Sequence, residues 1–187
     1  MNTLLTDLQF RFFESGDAEA LFDMIAQNRA HLRQWLYWVD GIKDISSVKA
    51  YLQLVQHYLD EQKGVAYAVM HEGQIIGQID IHHFNREIGS AQIGYWIAKG
   101  YEGRGFMKQA CRWMIAKGFT DYNLNRIEIN FVKENQRSAN LAQSLGFTYE
   151  GTLRQAYRLH GQLWDLTVMS QLKQEWIKEQ TGAVVSL

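Results

Sequence analysis

The 187-residue chain contains no proline, although proline averages about 5% of protein sequences. Glycine, present 15 times, is left to punctuate the chain, so its positions guide where elements end. A single cysteine excludes an internal disulfide. Its neighbours at helical spacing, Phe106, Met107, Ala110 and Met114, point to a buried, inert thiol at Cys111 rather than a nucleophile. No apolar run approaches a membrane span, and no basic flank precedes an apolar block near Asp7. Neither a membrane segment nor a signal peptide is expected, and the cytoplasm is the default location. Nineteen basic and 20 acidic residues leave a formal charge of -1, which gives no reason to expect nucleic acid or an anionic membrane as partner. No repeat, low-complexity tract or linker interrupts the sequence, and its length fits one domain, so residues 1–187 are expected to form a single domain.

What the chain does have is the stretch Ile93 to Ala110, which reads in succession as a buried strand, a glycine-rich turn and a helix start. Gly103 and Gly105 allow backbone conformations closed to other residues and a close approach to a ligand. The first helical turn aims unpaired N–H groups at the same point. Such a turn can hold a phosphate. The spacing is not that of a P-loop, which closes on Lys-Ser or Lys-Thr, and the third glycine of the dinucleotide fingerprint is missing.

Around it, Leu8 to Phe13 reads as a strand, and Ser15-Gly16-Asp17 caps a helix with Ala20, Leu21, Met24 and Ile25 on one face. A short helix through Leu32 to Leu36 leads into the aromatic cluster Trp35, Tyr37 and Trp38, which either packs on the core or walls a pocket. Ser46-Ser47 is expected to cap a long helix. Two strands, Val65 to Met70 and Gln74 to His83, follow around a Glu72-Gly73 turn. His82 and His83 should face opposite ways along the strand, which favours structural histidines over a metal site; no metal is expected. Strand 90–98, apolar on both faces, should be central. The next helix should end at Lys117-Gly118. Arg126 to Val132 forms a strand, Asn135 caps a helix from Gln136 to Leu145, and Phe147–Leu159 and Trp164–Leu172 form a last hairpin about His160-Gly161 before a helical tail, Gln174 to Gln180. This order predicts an α/β fold with a single mixed, mostly antiparallel sheet flanked by helices.

That order resembles the GNAT superfamily of acetyl-CoA-dependent N-acetyltransferases, in particular its RimJ/RimL-like ribosomal-protein N-acetyltransferase group. The resemblance runs almost end to end. It is carried by Asn28 to Val39, Ile93 to Ile97, Gly103 to Met107, Leu124 to Ile129, Glu134 to Ser138, Leu145-Gly146-Phe147 and Glu150 to Ala156. It implies a GNAT-like acyl-CoA N-acyltransferase fold, acetyl-CoA as co-substrate, and coenzyme contacts from Ile97, Ala98, Gly103, Arg104, Gly105, Phe106, Met107, Lys108, Asn135 and Ser138. The family loop is Gln or Arg, two residues, Gly, one residue, Gly or Ala. Gly105 matches its first glycine, whereas Glu102 and Met107 depart from it. Backbone donors do not depend on side-chain identity, and Arg104 and Lys108 offer charge that offsets Glu102. The resemblance also implies that strand 93–98 splays from strand 126–132 so that pantetheine lies between them.

Acyl transfer from a thioester to an amine needs a neutral nucleophile, a stabilised oxyanion and a protonated leaving thiolate. The oxyanion is assigned to a backbone N–H at the end of strand 93–98, Ala98 or its neighbour. Ser138, at the family position in the helix start, either donates a hydrogen bond to the sulfur or serves the helix alone. For the base, related sequences have a glutamate after an alanine where this chain reads Gln155-Ala156-Tyr157. Tyr157 suits a proton donor to the thiolate better than a base. Glu150 and Glu87 are the remaining carboxylates by motif or loop position, and the catalytic set is Ser138, Tyr157 and Glu150 with the base unassigned. The acceptor is the N-terminal α-amine of a ribosomal or other protein, a small amine, or none if the chain only binds acyl-CoA. A homodimer is compatible with the sequence.

Overall fold

A computed structural model describes residues 8–182; the stretch through Asp7 read above for a leader lies outside them. β1 (Leu8–Phe12) passes through a 3-10 turn into α1 (Ala18–Gln27), α2 (Arg29–Leu32), a second 3-10 turn (Tyr37–Gly41) and α3 (Ile45–Asp60). The meander β2 (Gly64–His71), β3 (Gln74–Asn85) and β4 (Ser90–Ile97) leads through the glycine loop to α4 (Phe106–Thr120). β5 (Arg126–Val132), α5 (Gln136–Ser144), β6 (Thr148–Leu159), β7 (Gln162–Leu172) and α6 (Lys173–Gly182) complete the chain. The strands form one seven-stranded sheet in the order β1-β2-β3-β4-β5-β7-β6. β4 and β5 are parallel, while β1–β2, β5–β7 and β6–β7 are antiparallel, as the mixed sheet read from the sequence requires.

The chain divides into two compact units. One holds the residues up to Ile81 together with Gly94–Cys111; the other holds His82–Ile93 and the residues from Arg112 onward. In the first, Leu21 and Ile25 of α1 and Val48 and Leu52 of α3 meet Ala68 and Met70 of β2 and Trp96 of β4. Burial of each large aliphatic side chain contributes about 1.5–3 kcal/mol, which is why the one-sided apolar pattern of α1 and α3 sets their orientation. In the second, β5 alternates from Arg126 to Phe131: Ile127, Ile129 and Phe131 are buried, and Arg126, Glu128 and Asn130 are half-buried, while Val132 at its end is buried as well.

Four local expectations are corrected. The cap of α3 is Asp44, in extended conformation at φ -157°, whose side chain accepts from the Ser47 amide at 2.8 Å while the Ser47 hydroxyl oxygen accepts from the Asp44 amide at 3.1 Å. The serines therefore stand inside the first turn. Asp17 makes no side-chain cap to α1, because its carboxylate is held by both Arg11 guanidinium nitrogens at 2.7 Å and by the Glu14 amide. The second helix occupies Arg29–Leu32 rather than Leu32 to Leu36, and α4 continues through Gly118 to Thr120. An interior glycine costs about 1 kcal/mol against alanine, but it lets Phe119 be fully buried against Trp176, with ring centroids 5.5 Å apart, and that burial outweighs the cost.

Candidate active site

The first unit assembles the end of β4 and the glycine loop. Gly103 and Gly105 have φ of +73° and +79°, the left-handed region that glycine enters without penalty. Among the described residues, no carbonyl accepts from the amides of Gly103 to Lys108, and the first helical bond of α4 is Gln109 N–H to the Gly105 carbonyl at 3.0 Å. The loop and first turn thus offer a run of donors at the positive end of a 15-residue helix, suited to a pyrophosphate. Glu102, one of the two residues that depart from the loop pattern above, faces α2. Its carboxylate lies 3.3 Å from His31 Nε2 of α2, both side chains being about one-fifth exposed. Arg104 stacks over Tyr101 at 5.3 Å.

The stretch from Asn28 to Val39 explains itself as the brace of this site. The Asn28 carboxamide oxygen accepts from the Lys99 amide at 2.9 Å, which fixes the α1–α2 corner to the residue following Ala98. Arg29 donates to the Val39 carbonyl at 2.7 Å and to the Ile42 carbonyl, so the aromatic segment between is pinned at its end. Trp38 packs against Trp96 at 6.3 Å and belongs to the core, with Tyr37 exposed.

Of the candidate oxyanion donors, Ala98 and its neighbours, pairing with β3 occupies one. Ala98 N–H donates to the Ile76 carbonyl of β3 at 2.8 Å. Because successive amides of a strand point to opposite edges, the Ile97 N–H points to the edge away from β3. Of the two neighbours, Ile97 is therefore the donor in position to meet a carbonyl beside β4.

In the second unit, the β4–β5 ladder is three pairs long, Ser90 with Arg126, Ala91 with Ile127 and Gln92 with Glu128. The carboxamide oxygen of Asn135 accepts from the Ser138 amide at 3.2 Å, the expected cap. Ser138 is half-buried on the same helix start. Tyr157 lies on β6 opposite Trp164 of β7, past a bulge where Gln155 takes φ of +52° and its amide donates to the Asp165 carboxylate at 3.0 Å.

Glu150 is not placed as a base. It accepts from the Ser170 hydroxyl and from Arg126 Nη1 at 2.6 Å, and these partners, the hydroxyl foremost, hold its carboxyl below the usual range. A carboxylate stabilised in its charged form is a poorer proton acceptor. Since its folded pKa is depressed, its contribution to stability is complete above the ordinary carboxyl value of about 4.3 and is lost as pH falls through the folded value. The stability difference between the wild type and Glu150→Gln, measured by urea unfolding, is expected to be present at pH 7 and to shrink as the pH falls below the ordinary carboxyl value. Glu150→Gln should retain acetyl transfer; a loss of 100-fold or more with the fold intact would return Glu150 to the catalytic set.

Cys111 is fully buried and its thiol is pushed far up by burial, in line with an inert side chain. The His82 and His83 rings do not point apart. They meet edge to face at 4.6 Å, because His83 at φ +53° breaks the strand alternation, and His83 Nδ1 lies 3.1 Å from the Gln92 carboxamide oxygen. No group of three or more His, Cys, Asp or Glu among the described residues is arranged to hold a metal ion. The sequence reading missed Asp80, whose carboxylate lies over Gly94 of β4. A Cβ built at Gly94 would stand 2.8 and 2.9 Å from its two oxygens. The signal was the one acid of β3, flanked by Ile79 and Ile81, both fully buried.

The chain matches the family described as Acetyltransferase (GNAT) domain over residues 7–148. YdaF of Bacillus subtilis (strain 168), which carries the provisional name ribosomal N-acetyltransferase, is 33% identical over 178 residues, 92% of this chain and 95% of YdaF. The ribosomal-protein-serine acetyltransferase of Escherichia coli (strain K12) is 25% identical, covering 88% of this chain and 92% of the relative. Among solved structures, one provisionally named an acetyltransferase superposes with a TM-score of 0.87 at 30% identity, covering 91% of this chain and 96% of that one.

Proposed function

Because the chain belongs to the GNAT acetyltransferase family and is an acetyl-CoA-dependent N-acetyltransferase, we propose that its acceptor is the N-terminal α-amine of a ribosomal protein. The acceptor class rests on the relatives that align over most of both chains. The observation that carries the coenzyme site is the run of amides from Gly103 to Lys108 without an internal acceptor. In this reading residues 1–187 act as one catalytic domain in the cytoplasm, without a nucleic-acid or membrane partner, and the family match from 7 to 148 takes in parts of both compact units. A homodimer fits the same reading.

The pyrophosphate is taken by the backbone of Gly103, Arg104, Gly105, Phe106, Met107 and Lys108, with the Arg104 and Lys108 side chains adding charge. Ile97 and Ala98 border the pantetheine, the thioester carbonyl accepting from Ile97 N–H. Asn135 binds the coenzyme through its carboxamide nitrogen. Ser138 donates to the sulfur as the C–S bond breaks, and Tyr157 is a second proton donor to the thiolate. The test is acetyl-CoA with purified ribosomal proteins or their N-terminal peptides, read by mass spectrometry and free thiol. Acetylation confined to small amines would reject the acceptor, and thiol release from no amine would reject turnover.

The two residues of the α5 start should separate. Ser138→Ala is expected to lower kcat more than it weakens acetyl-CoA binding, because a donor to the departing sulfur acts mainly in the transition state. Asn135→Ala should lose coenzyme affinity together with about 1 kcal/mol of stability from the cap. Steady-state kinetics, calorimetry and thermal unfolding of both variants check this. Equal losses of kcat and affinity in Ser138→Ala would leave it a structural role.

A further inference from the structure

The geometry points to Asp80 as the carboxylate that receives the acceptor's α-ammonium and takes its proton, a role that rests on the acetyltransferase reading above. Asp80 is half-buried on β3, and its carboxylate occupies the space that a side chain at position 94 would fill, so it lies over β4 three residues before the Ile97 amide. Glycine at 94 is what makes this room. Its φ is not in the left-handed region, so close approach, and not backbone conformation, demands the missing side chain.

The carboxylate is held in place from behind. Gln78 Nε2 donates to Asp80 Oδ2 at 3.0 Å, and the Tyr51 hydroxyl of α3 donates to Gln78 Oε1 at 2.7 Å. Gln78 is 8% exposed, so this relay is internal, and it orients one carboxylate oxygen. The titratable group that faces Asp80 through this relay is Tyr51. Its hydroxyl is pushed well above its ordinary value, first by burial and then by the Asp80 charge, so it stays a neutral donor. On the same face of β4, two residues on, Trp96 packs against Trp38, an apolar wall beside the charge.

An α-amine arrives largely protonated at neutral pH and must lose one proton to bind productively and a second as the amide forms. A fixed carboxylate meets both needs. It pairs with the ammonium, takes its first proton and releases it to water, leaving a neutral amine; as that nitrogen attacks the thioester carbon and the C–N bond forms, the second N–H proton passes to Asp80 through water. The C–S bond then breaks with its electron pair on sulfur, which takes a proton from its own donor, and Asp80 returns its proton to water. No other reactant is needed.

The test is a cycle on the whole protein with acetyl-CoA and an N-terminal peptide. Asp80→Asn keeps the volume and an acceptor for Gln78 but removes the charge; Gly94→Ala keeps the charge but displaces the carboxylate by the clash at 2.8 Å. Each should lower kcat/KM for the peptide about 100-fold, the low end of the range for general bases, while the acetyl-CoA Kd measured by calorimetry stays within about twofold. The double variant should be no worse than Asp80→Asn, since both remove one interaction. Asp80→Glu, which restores the charge, should recover at least tenfold of the activity that Asp80→Asn loses, which a merely structural role would not do. If Asp80→Asn fails to fold, Gly94→Ala alone decides, with coenzyme affinity as the control. Activity within twofold of wild type in folded Asp80→Asn and Gly94→Ala would overturn the role while leaving the acetyltransferase reading intact. A wild type that acetylates no α-amine overturns both.

Discussion

Replacing Gly105 with glutamate is expected to abolish acetyl-CoA binding while the protein remains folded. The residue sits at φ +79° at the entrance to α4, where a side chain carries a penalty of about 1–2 kcal/mol for the left-handed backbone alone. The larger effect is electrostatic. The six amides of Gly103 to Lys108 converge from the positive end of α4, and a carboxylate planted among them both occupies the anion's place and repels what remains of it. At about 4 Å and an effective dielectric constant of about 20, each like-charge contact costs about 4 kcal/mol, close to a thousandfold in affinity. Gly103→Ala separates the two effects. Position 103 also has positive φ, at +73°, but a Cβ there meets nothing within 4 Å, so only the backbone cost applies and the loss of affinity should be modest. Calorimetric titration of both variants, with circular dichroism to confirm folding, checks the pair. An unchanged affinity in folded Gly105→Glu would remove the glycine loop from the coenzyme site.

The glycine loop was legible because its signal is local: two glycines between an apolar strand and an amphipathic helix leave few other conformations. The same holds for the hairpin turns. Glu72-Gly73 and His160-Gly161 each have positive φ at both residues, and each stands between runs of strand-forming residues. β5 and the Asn135 cap were legible for the same reason, one by period-2 alternation and one by a short polar residue ahead of a helix. What escaped the sequence depends on partners distant along the chain. Asp17 looks like a cap until Arg11 claims it, and Gly118 looks like a helix end until Phe119 is seen to need burial. Ala98 and Ile97 are equivalent as candidate oxyanion donors until pairing with Ile76 decides which amide is spent. Glu150 and Asp80 illustrate the same limit for chemistry. Motif position favoured Glu150, but Ser170 and Arg126 hold it in its charged form; the motif was silent on Asp80, which earns its place only through the gap left by Gly94.

Peptides with a free N-terminus should be acetylated far faster than the same peptides offering only a lysine. With ordinary pKa values of about 7.8 and 10.4, roughly a third of an α-amine but only about 0.1% of lysine is neutral at pH 7.5. The resulting ratio of a few hundred corresponds to about 3 kcal/mol that a lysine would have to recover in the site. The site is poorly equipped to supply it. Tyr157 stands where related sequences have a glutamate, and Glu150 is held in its charged form by Arg126 and Ser170. A single carboxylate over Gly94 suffices for an amine that is already partly neutral, and a carboxylate is too weak a base to strip a lysine in bulk. The pH dependence gives the prediction its sign. Below about pH 7 both neutral fractions rise tenfold per unit and the preference should hold near 400. Above about pH 7.8 the α-amine saturates while lysine continues to rise, so the preference should fall to about 25 at pH 9. The measurement is kcat/KM for one peptide with either its N-terminus or its single lysine blocked, from pH 6 to 9. A ratio that stays flat to pH 9 would show that the site, and not the intrinsic acidity of the amine, selects the acceptor, and faster reaction of the N-terminally blocked peptide would reject the α-amine preference.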